Sequence, residues 1–463
     1  MSPARGLMPS ARFRARQCVR GFSKTNRVLE QARSLDKKPC PCKIKYTLVY
    51  TGLIMDKYLS RIAEKKFFRM NESFPVVLVT GARQVGKTTM LEYLAKGQNR
   101  TYVTLDDLNI RNMAINDPVS FFQNHKTPVI IDEIQYAPNL FSQIKIMCDK
   151  NKTPGEFWLT GSQSYNLMKG VSESLAGRVG IMEMSSFTMD EFTGDIKEPL
   201  NNFNIDCLKS RFKNCVKYSN EELFEFIYRG GMPKTFGFSE EMRKDYFNAY
   251  IHSYLMRDIM ELGKISDLIR FNRFLIACAA MISGQLNIAT LANAADISQP
   301  TAKEWLNVLQ GLGIVYLLRA YFNNEIKRLV KSPKLYFYDT GLAAYLSLWP
   351  SSETLKVGNM NGAYFENFVV NQIVKKFSYT SQPPNVFYYR DVDQKEIDLI
   401  LETHEGLTPL EIKMTSNPHT GDIAKFAVLN KFKKNVLPGA IFCMIDKPLL
   451  IEGDNVFLPV CLL

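Results

Sequence analysis

The stretch GARQVGKTT (81–89) carries the spacing G-x-x-x-x-G-K-T, which suits it to hold phosphate. Gly81 and Gly86 let the backbone curl until its N–H groups face phosphate oxygens, at the start of a helix whose N-terminus favours anions. Lys87 is placed to reach the β and γ phosphates of ATP, and the Thr88 hydroxyl to join a Mg²⁺ shell. Gln84 and Thr89 complete the loop residues expected to contact nucleotide. Farther on, TPVIIDEIQ (127–135) is an apolar run ending in two acids. Asp132 would hold Mg²⁺ through water, and Glu133 would polarise the attacking water. EFWLTGSQ (156–163) also ends in polar side chains, of which Ser162 and Gln163 are expected to sense the γ-phosphate. SESLAGRVGIMEM (172–184) sets Arg178 beside a glycine. Two roles stay open for it. It either reaches a neighbouring subunit's γ-phosphate, which contributes about 10³–10⁵ in rate, or binds an acid of its own core.

A second set of reactive residue types lies near the end of the chain, in KEIDLILETHEGLTPLEIK (395–413). This reads as two strands joined by a turn around His404–Leu407. Side chains alternate between faces along a strand, so Asp398 shares a face with Glu396 and Glu402, while Glu411 and Lys413 share one on the second strand. In-register pairing puts Asp398 opposite either Lys413 or Glu411, and both registers keep the three on one open face. The trio resembles the restriction-endonuclease-like pattern of Asp followed by Glu-x-Lys. There, two carboxylates bind Mg²⁺ and the lysine steadies an attacking water. NGAYFENFVVNQIVKKF (361–377) supplies a further acid, Glu366, on an amphipathic segment with Phe365, Phe368, Val369 and Ile373. Asp398, Glu411 and Glu366 are thus candidate metal ligands. The alternative is a plain half-exposed hairpin in which Asp398 pairs with Lys413 for a few tenths of a kcal/mol.

The elements that must position these residues follow from the apolar pattern. PVVLVT before the phosphate loop, the run before Asp132 and FWLT before Ser162 read as buried strands of an α/β core. LNIATLANAADISQPTAKEWLNVLQGLGIVYLL (286–318) has the rhythm of a winged helix. A short helix precedes a turn at Asp296–Ser298. Pro300 and Thr301 open a second helix with Trp305, Leu306, Leu309 and Leu312 on one face, and Gly313 breaks it into a strand. DNA contact is one reading of that unit. Yet its second helix exposes only Lys303, with Glu304 beside it, and the better basic cluster follows at Lys327, Arg328, Lys331 and Lys334.

Together VTGARQVGKTT, VIIDEIQYAPNLF, FWLTGSQSYNLM and ESLAGRV resemble the prokaryotic AAA-type ATP-binding proteins that end in a domain of unknown function. The similarity runs from about Met55 to the C-terminus. It implies an α/β P-loop ATPase core with a helical lid, then a winged helix and a small α/β restriction-endonuclease-like domain. YRGGMPKTF (228–236) resembles the Gly-x-Pro signature in the lid of related signalling ATPases. By that resemblance Pro233 would contact the adenine and Gly231 would allow close approach. A turn between helices gives the same letters for local reasons.

Bulk properties bound these readings. The 463 residues are 46% hydrophobic and 22% charged, too long for one core, and no apolar window is long enough for a membrane span. Residues 1–50 hold 12 Lys/Arg against Glu30 and Asp36, so they carry +10 of the net +12. The body is near neutral, and the net charge does not argue for a nucleic-acid partner. Nine scattered cysteines fit a reduced, cytoplasmic chain. The expected division is 1–54 as a basic disordered extension or mis-called start, an organelle address or a basic arm being the other readings. The ATPase core follows at 55–184, the lid at 185–265, the winged helix at 266–350 and the endonuclease-like domain at 351–463. The expected function is a Mg-dependent ATPase acting as a nucleotide-driven switch. The alternatives are an ATP-gated DNA nuclease and a nucleotide-regulated protein- or DNA-binding module that does not hydrolyse. Expected partners are ATP, DNA through the winged helix or C-terminal domain, and a second copy of the chain, with no membrane.

Overall fold

Five short, wholly parallel strands form the first sheet: β1 (Val76–Thr80), β2 (Thr101–Thr104), β3 (Val129–Asp132), β4 (Phe157–Thr160) and β5 (Val179–Glu183), in the order β2-β3-β4-β1-β5. β1, β3 and β4 are buried along their whole length, as apolar strands covered on both faces must be. β4 is inserted between β1 and β3, so the phosphate-loop strand and the acid-bearing strand flank it. The computed structural model describes residues 58–463 apart from 163–164, 202, 257–258, 260–266, 323–327 and 329–330. The expectations for residues 1–54, and those on Gln163 and Lys327, lie outside the described residues. Met55–Leu463 forms one compact unit.

Helices Leu268–Ala280, Ile288–Ala295 and Gln299–Gly311 come next. Asp296 turns the chain at φ 54, Ser298 caps the third helix through the Thr301 N–H, and Pro300 stands in its first turn. Trp305 packs edge-on against Phe271 and Phe274 at 5.2 and 5.7 Å. An antiparallel hairpin follows, β6 (Val315–Leu318) with β7 (Lys334–Phe337). The basic cluster beyond it is largely turned inward. Lys334 is buried among acids, and Arg328 packs on Tyr321 and Phe387 while facing Glu402. The expected DNA-facing patch therefore does not form from these two side chains.

The third sheet has six strands in the order β12-β13-β11-β10-β9-β8: β8 (Asn385–Arg390), β9 (Glu396–Glu402), β10 (Leu407–Lys413), β11 (Ala440–Cys443), β12 (Leu449–Leu450) and β13 (Val456–Pro459). Residues 319–321 run along the edge of β8, with Tyr321 N donating to Tyr388 O and Tyr388 N to Arg319 O. The hairpin segment and the C-terminal sheet are thereby joined through backbone.

The helix Asn361–Ser378 departs from its expected amphipathic form. Asn367, Asn371, Gln372, Lys375 and Lys376 are buried along with its apolar residues. Each polar side chain has a tertiary partner. Asn367 and Asn371 satisfy the backbone of Phe337, and Gln372 accepts from Met189 N. Lys375 donates to Ser186, and Lys376 pairs with Asp190. Such burial is tolerable because every group is bonded. All of these partners lie outside the C-terminal sheet.

Candidate functional site

The loop after β1 is bent by three positive-φ residues: Gly81 (132°), Gln84 (62°) and Gly86 (95°). A Cβ on Gly81 would stand 2.2 Å from Met184 O, so only glycine fits there. The Lys87 ammonium folds over the loop and donates to Gly81 O at 3.0 Å and Ala82 O at 2.9 Å. Thr88 lies at the start of the helix Lys87–Leu94, and Thr89, one residue on, is exposed.

Asp132, at the end of β3, accepts from the Thr88 hydroxyl at 2.6 Å on Oδ1, the same oxygen that Thr160 of β4 bonds. Tyr102 reaches its other oxygen at 3.3 Å. Glu133 turns left-handed at φ 57, and its N–H is taken up by the Thr160 hydroxyl. Gln135 donates both to the Glu133 carboxylate and to the Ser162 hydroxyl. Thr88, Asp132, Glu133 and Ser162 therefore meet where three adjacent strands end. A carboxylate and a hydroxyl, both hard oxygen donors, fit Mg²⁺, which takes few protein ligands beside phosphate and water. Thr88 and Asp132 are the groups that would hold it. It would there neutralise phosphate charge.

Pro233, at the start of the helical turn Pro233–Thr235, comes to the loop with its Cγ 3.8 Å from where a Gly86 Cβ would sit. Gly231 does allow a close approach, but to protein. A Cβ on it would lie 2.3 Å from Phe187 O, and Asp339 takes its N–H at 2.8 Å. Asp339 also caps the helix Thr340–Leu346 through Leu342 N. The RGG and DTG stretches, over a hundred residues apart, thus form one joint.

Arg178 lies at the other end of the sheet. Its carbonyl accepts from Val76 N at the first residue of β1, whereas the phosphate loop leaves the last. Its guanidinium holds Asp149 at 2.6 Å, on the surface. This is the acid-bound form of the two readings above, and it keeps Arg178 away from its own chain's phosphate loop.

Three contributors carried no sequence signal. Thr160, Gln135 and Arg61 set the geometry of the acids and the loop. Arg61 is buried, pairs with Glu191 at 3.0 Å, and donates to Val85 O at 2.8 Å and Ser185 O at 2.6 Å. It fixes the phosphate loop against the strand end and the helix Met189–Thr193.

The C-terminal residues also converge, but in a buried setting. Asp398 and Glu411 are 8% and 1% exposed, which overturns the half-exposed hairpin. Strand β10 is interior, paired with β9 on one side and β11 on the other. The β9–β10 register aligns Leu410 with Leu399, so Asp398 lies across from Glu411, and it accepts from Ile412 N at 2.9 Å. Lys413 pairs with Glu411 at 2.7 Å rather than with Asp398. Glu366 is adjacent. Burial, reinforced by Asp398, pushes its carboxyl up to about 7. The same two causes raise Glu411. Lys334 stands among these acids, 2.9 Å from Glu366, 2.5 Å from Glu396 and 3.6 Å from Asp398. Burial lowers its proton affinity, but the three acids together hold it well above the ordinary lysine value. Among the described residues no group of three His, Cys, Asp or Glu side chains is arranged to hold a metal ion. As it stands, the Glu366–Asp398–Glu411 set does not fit a metal.

Comparison with known proteins agrees with the first sheet and its loop. An AAA domain (AAA_14) matches residues 73–193, and two domains of unknown function match 220–353 (DUF8612) and 361–463 (DUF4143). The protein is an AAA-type P-loop ATPase with a C-terminal domain of unknown function. Over 360 residues it is 30% identical to the uncharacterized protein Rv2008c of Mycobacterium tuberculosis and, equally, to Mb2031c of Mycobacterium bovis. The match spans 77% of this chain and 74% of each relative, and the chain belongs to their family. Among solved structures, a Walker-type ATPase of Pyrococcus abyssi is 16% identical, with a TM-score of 0.40 over 64% of this chain and 97% of its own. The Thermotoga maritima RuvB Holliday junction branch migration motor is 19% identical, with a TM-score of 0.27 over 59% and 88%. At those scores neither likeness bears on function. No described helix is long and apolar enough to cross a membrane.

Proposed function

We propose that the chain is a Mg-dependent ATPase working as a nucleotide-driven switch. The observation that carries this is the meeting of Thr88, Asp132 and Thr160 at one carboxylate oxygen beside Glu133, at the mouth of the phosphate loop. In this reading Gly81, Gln84, Gly86 and Thr89 shape the loop and its helix start, and Lys87 exchanges its two carbonyl partners for phosphate oxygens. Thr88 and Asp132 hold Mg²⁺. Glu133, held by Gln135, orients the attacking water, and Ser162 sits within reach of the γ-phosphate. Pro233 brings the lid to the nucleotide. Arg178 keeps a role only if a second copy of the chain presents a phosphate site to it.

The switch would run through Gly313, where a Cβ would stand 3.5 Å from Ala82 N of the phosphate loop. The segment that starts there is the β6–β7 hairpin, which belongs to the winged-helix unit proposed for 266–350. The C-terminal segment 351–463 is proposed as a restriction-endonuclease-like fold, supported by Asp398, Glu411 and Lys413 on paired interior strands near Glu366. Fold alone does not assign cutting. Binding and hydrolysis of ATP by Lys87→Ala and Glu133→Gln test the ATPase reading. Lys87→Ala should lose both, and Glu133→Gln should bind while hydrolysing at least 100-fold more slowly. Unchanged turnover in either variant overturns it.

A further inference from the structure

Glu366, Glu396 and Asp398 come from a helix and a strand of the C-terminal segment, and the group they share is the ammonium of Lys334. Lys334 belongs to neither element. It opens β7, on a hairpin that reaches the sheet from outside, and it is 3% exposed. The Tyr336 hydroxyl, from the same strand, adds a bond to Glu366 at 2.6 Å. A fourth carboxylate, Glu411, is held through Oε1 by Lys413 at 2.7 Å and Lys425 at 3.0 Å. Its Oε2 is buried with no hydrogen-bond partner among the described residues. A buried acceptor left open beside three acids marks a pocket richer in oxygen ligands than its lysines use. Acids buried this closely repel one another and need a cation between them.

We propose that Lys334 is the resident cation of this cluster: it takes the position that a divalent metal would occupy, fastens the β6–β7 hairpin to the C-terminal sheet, and keeps metal out while it is in place. A carboxylate set of this kind takes Mg²⁺ or Mn²⁺ through oxygen alone once the ammonium is gone. A single positive charge on a tethered stem holds the site closed without loss of fold, because the acids remain paired. The proposal depends neither on nucleotide binding nor on hydrolysis, so its failure leaves the ATPase reading standing.

The test uses the full chain without nucleotide and Mn²⁺ as the probe, followed by electron paramagnetic resonance and by thermal unfolding. Lys334→Gln should gain a Mn²⁺ site at least tenfold tighter than any in the wild type. Mn²⁺ should raise its Tm while leaving the wild-type Tm unmoved. The gained site should vanish in Lys334→Gln/Asp398→Asn. A wild-type Mn²⁺ site that Asp398→Asn removes overturns the proposal, as does a folded Lys334→Gln that gains nothing. If Lys334→Gln does not fold in metal-free buffer, Mn²⁺ must restore its folding, and failure to do so overturns the proposal equally.

Discussion

Replacing Arg61 by Met tests how firmly the phosphate loop is tied to its surroundings. The side chain is buried against Glu191, itself almost fully buried, and it also satisfies the carbonyls of Val85 and Ser185. Methionine keeps much of the stem's packing over Phe187 but removes the charge and its donors. Breaking a buried ion pair by removing one partner costs about 3–5 kcal/mol, since the other charge stays buried. Glu191 keeps the N–H groups of Ile62 and Thr188, each at 2.8 Å, which argues for the lower end, about 3 kcal/mol. A unit of roughly 400 residues unfolds with an entropy near 0.85 kcal/mol/K, so the expected fall in Tm is about 3–4 °C. Differential scanning calorimetry of Arg61→Met, Glu191→Gln and the double variant measures it. Once the pair is broken, the second substitution should add little, leaving a coupling of about 1–2 kcal/mol. A fall below about 1 °C for Arg61→Met, or additive single effects, would refute the idea that this pair anchors the loop.

Two further outcomes follow from the same interior. Gly231→Ala would put a methyl 2.3 Å from Phe187 O, at a backbone-to-backbone joint with no flexible side chain to yield, and should cost about 2–3 kcal/mol by urea denaturation, against under about 1 for Gly362→Ala, which meets open space on a helix, in the same assay. Lys375, whose surrounding charges are Asp339, Glu191 and Arg61, has its proton affinity lowered to about 8, chiefly by burial. Between about pH 8 and 10.5 the unfolded chain holds a proton that the folded chain has lost, so this group adds stability as pH rises. Lys375→Met should therefore be more stable relative to the wild type at pH 7 than at pH 10, by about 2 kcal/mol in paired denaturant titrations. A pH-independent difference would mean that Lys375 stays charged in the fold.

The sequence disclosed the parts of this protein whose logic is local. The phosphate loop depends on glycines and a lysine at fixed spacing, and strand alternation was enough to bring Asp398 near Glu411. Burial of the C-terminal hairpin was not legible, because it comes from β11, which pairs with β10, and from β13, which pairs with β11, both supplied by chain far downstream. The alternating acids that suggested an exposed face are instead charge-matched inside. Lys334 read as one of four surface cations, since nothing near it in the chain names its partners, 32 to 64 residues away. In EFWLTGSQ the expected γ-phosphate sensors are Ser162 and Gln163, yet the hydroxyl of that stretch that reaches Asp132 belongs to Thr160, the last strand residue. Polar residues buried on a helix, such as Gln372 and Lys376, look in sequence like a solvated face.

The helix Asn361–Ser378 bears on how the chain can be divided. Its Gln372, Lys375 and Lys376 serve backbone and acid groups of residues 186–190, and its Asn367 and Asn371 serve β7. A fragment ending before Asn361 would strip Met189 N, Asp190 and Phe337 of their partners at once. The ATPase portion made alone would carry a damaged interior, and any loss of turnover in it would report missing scaffold rather than missing chemistry. For the same reason, grafting this C-terminal segment onto another ATPase requires carrying over the surface it completes.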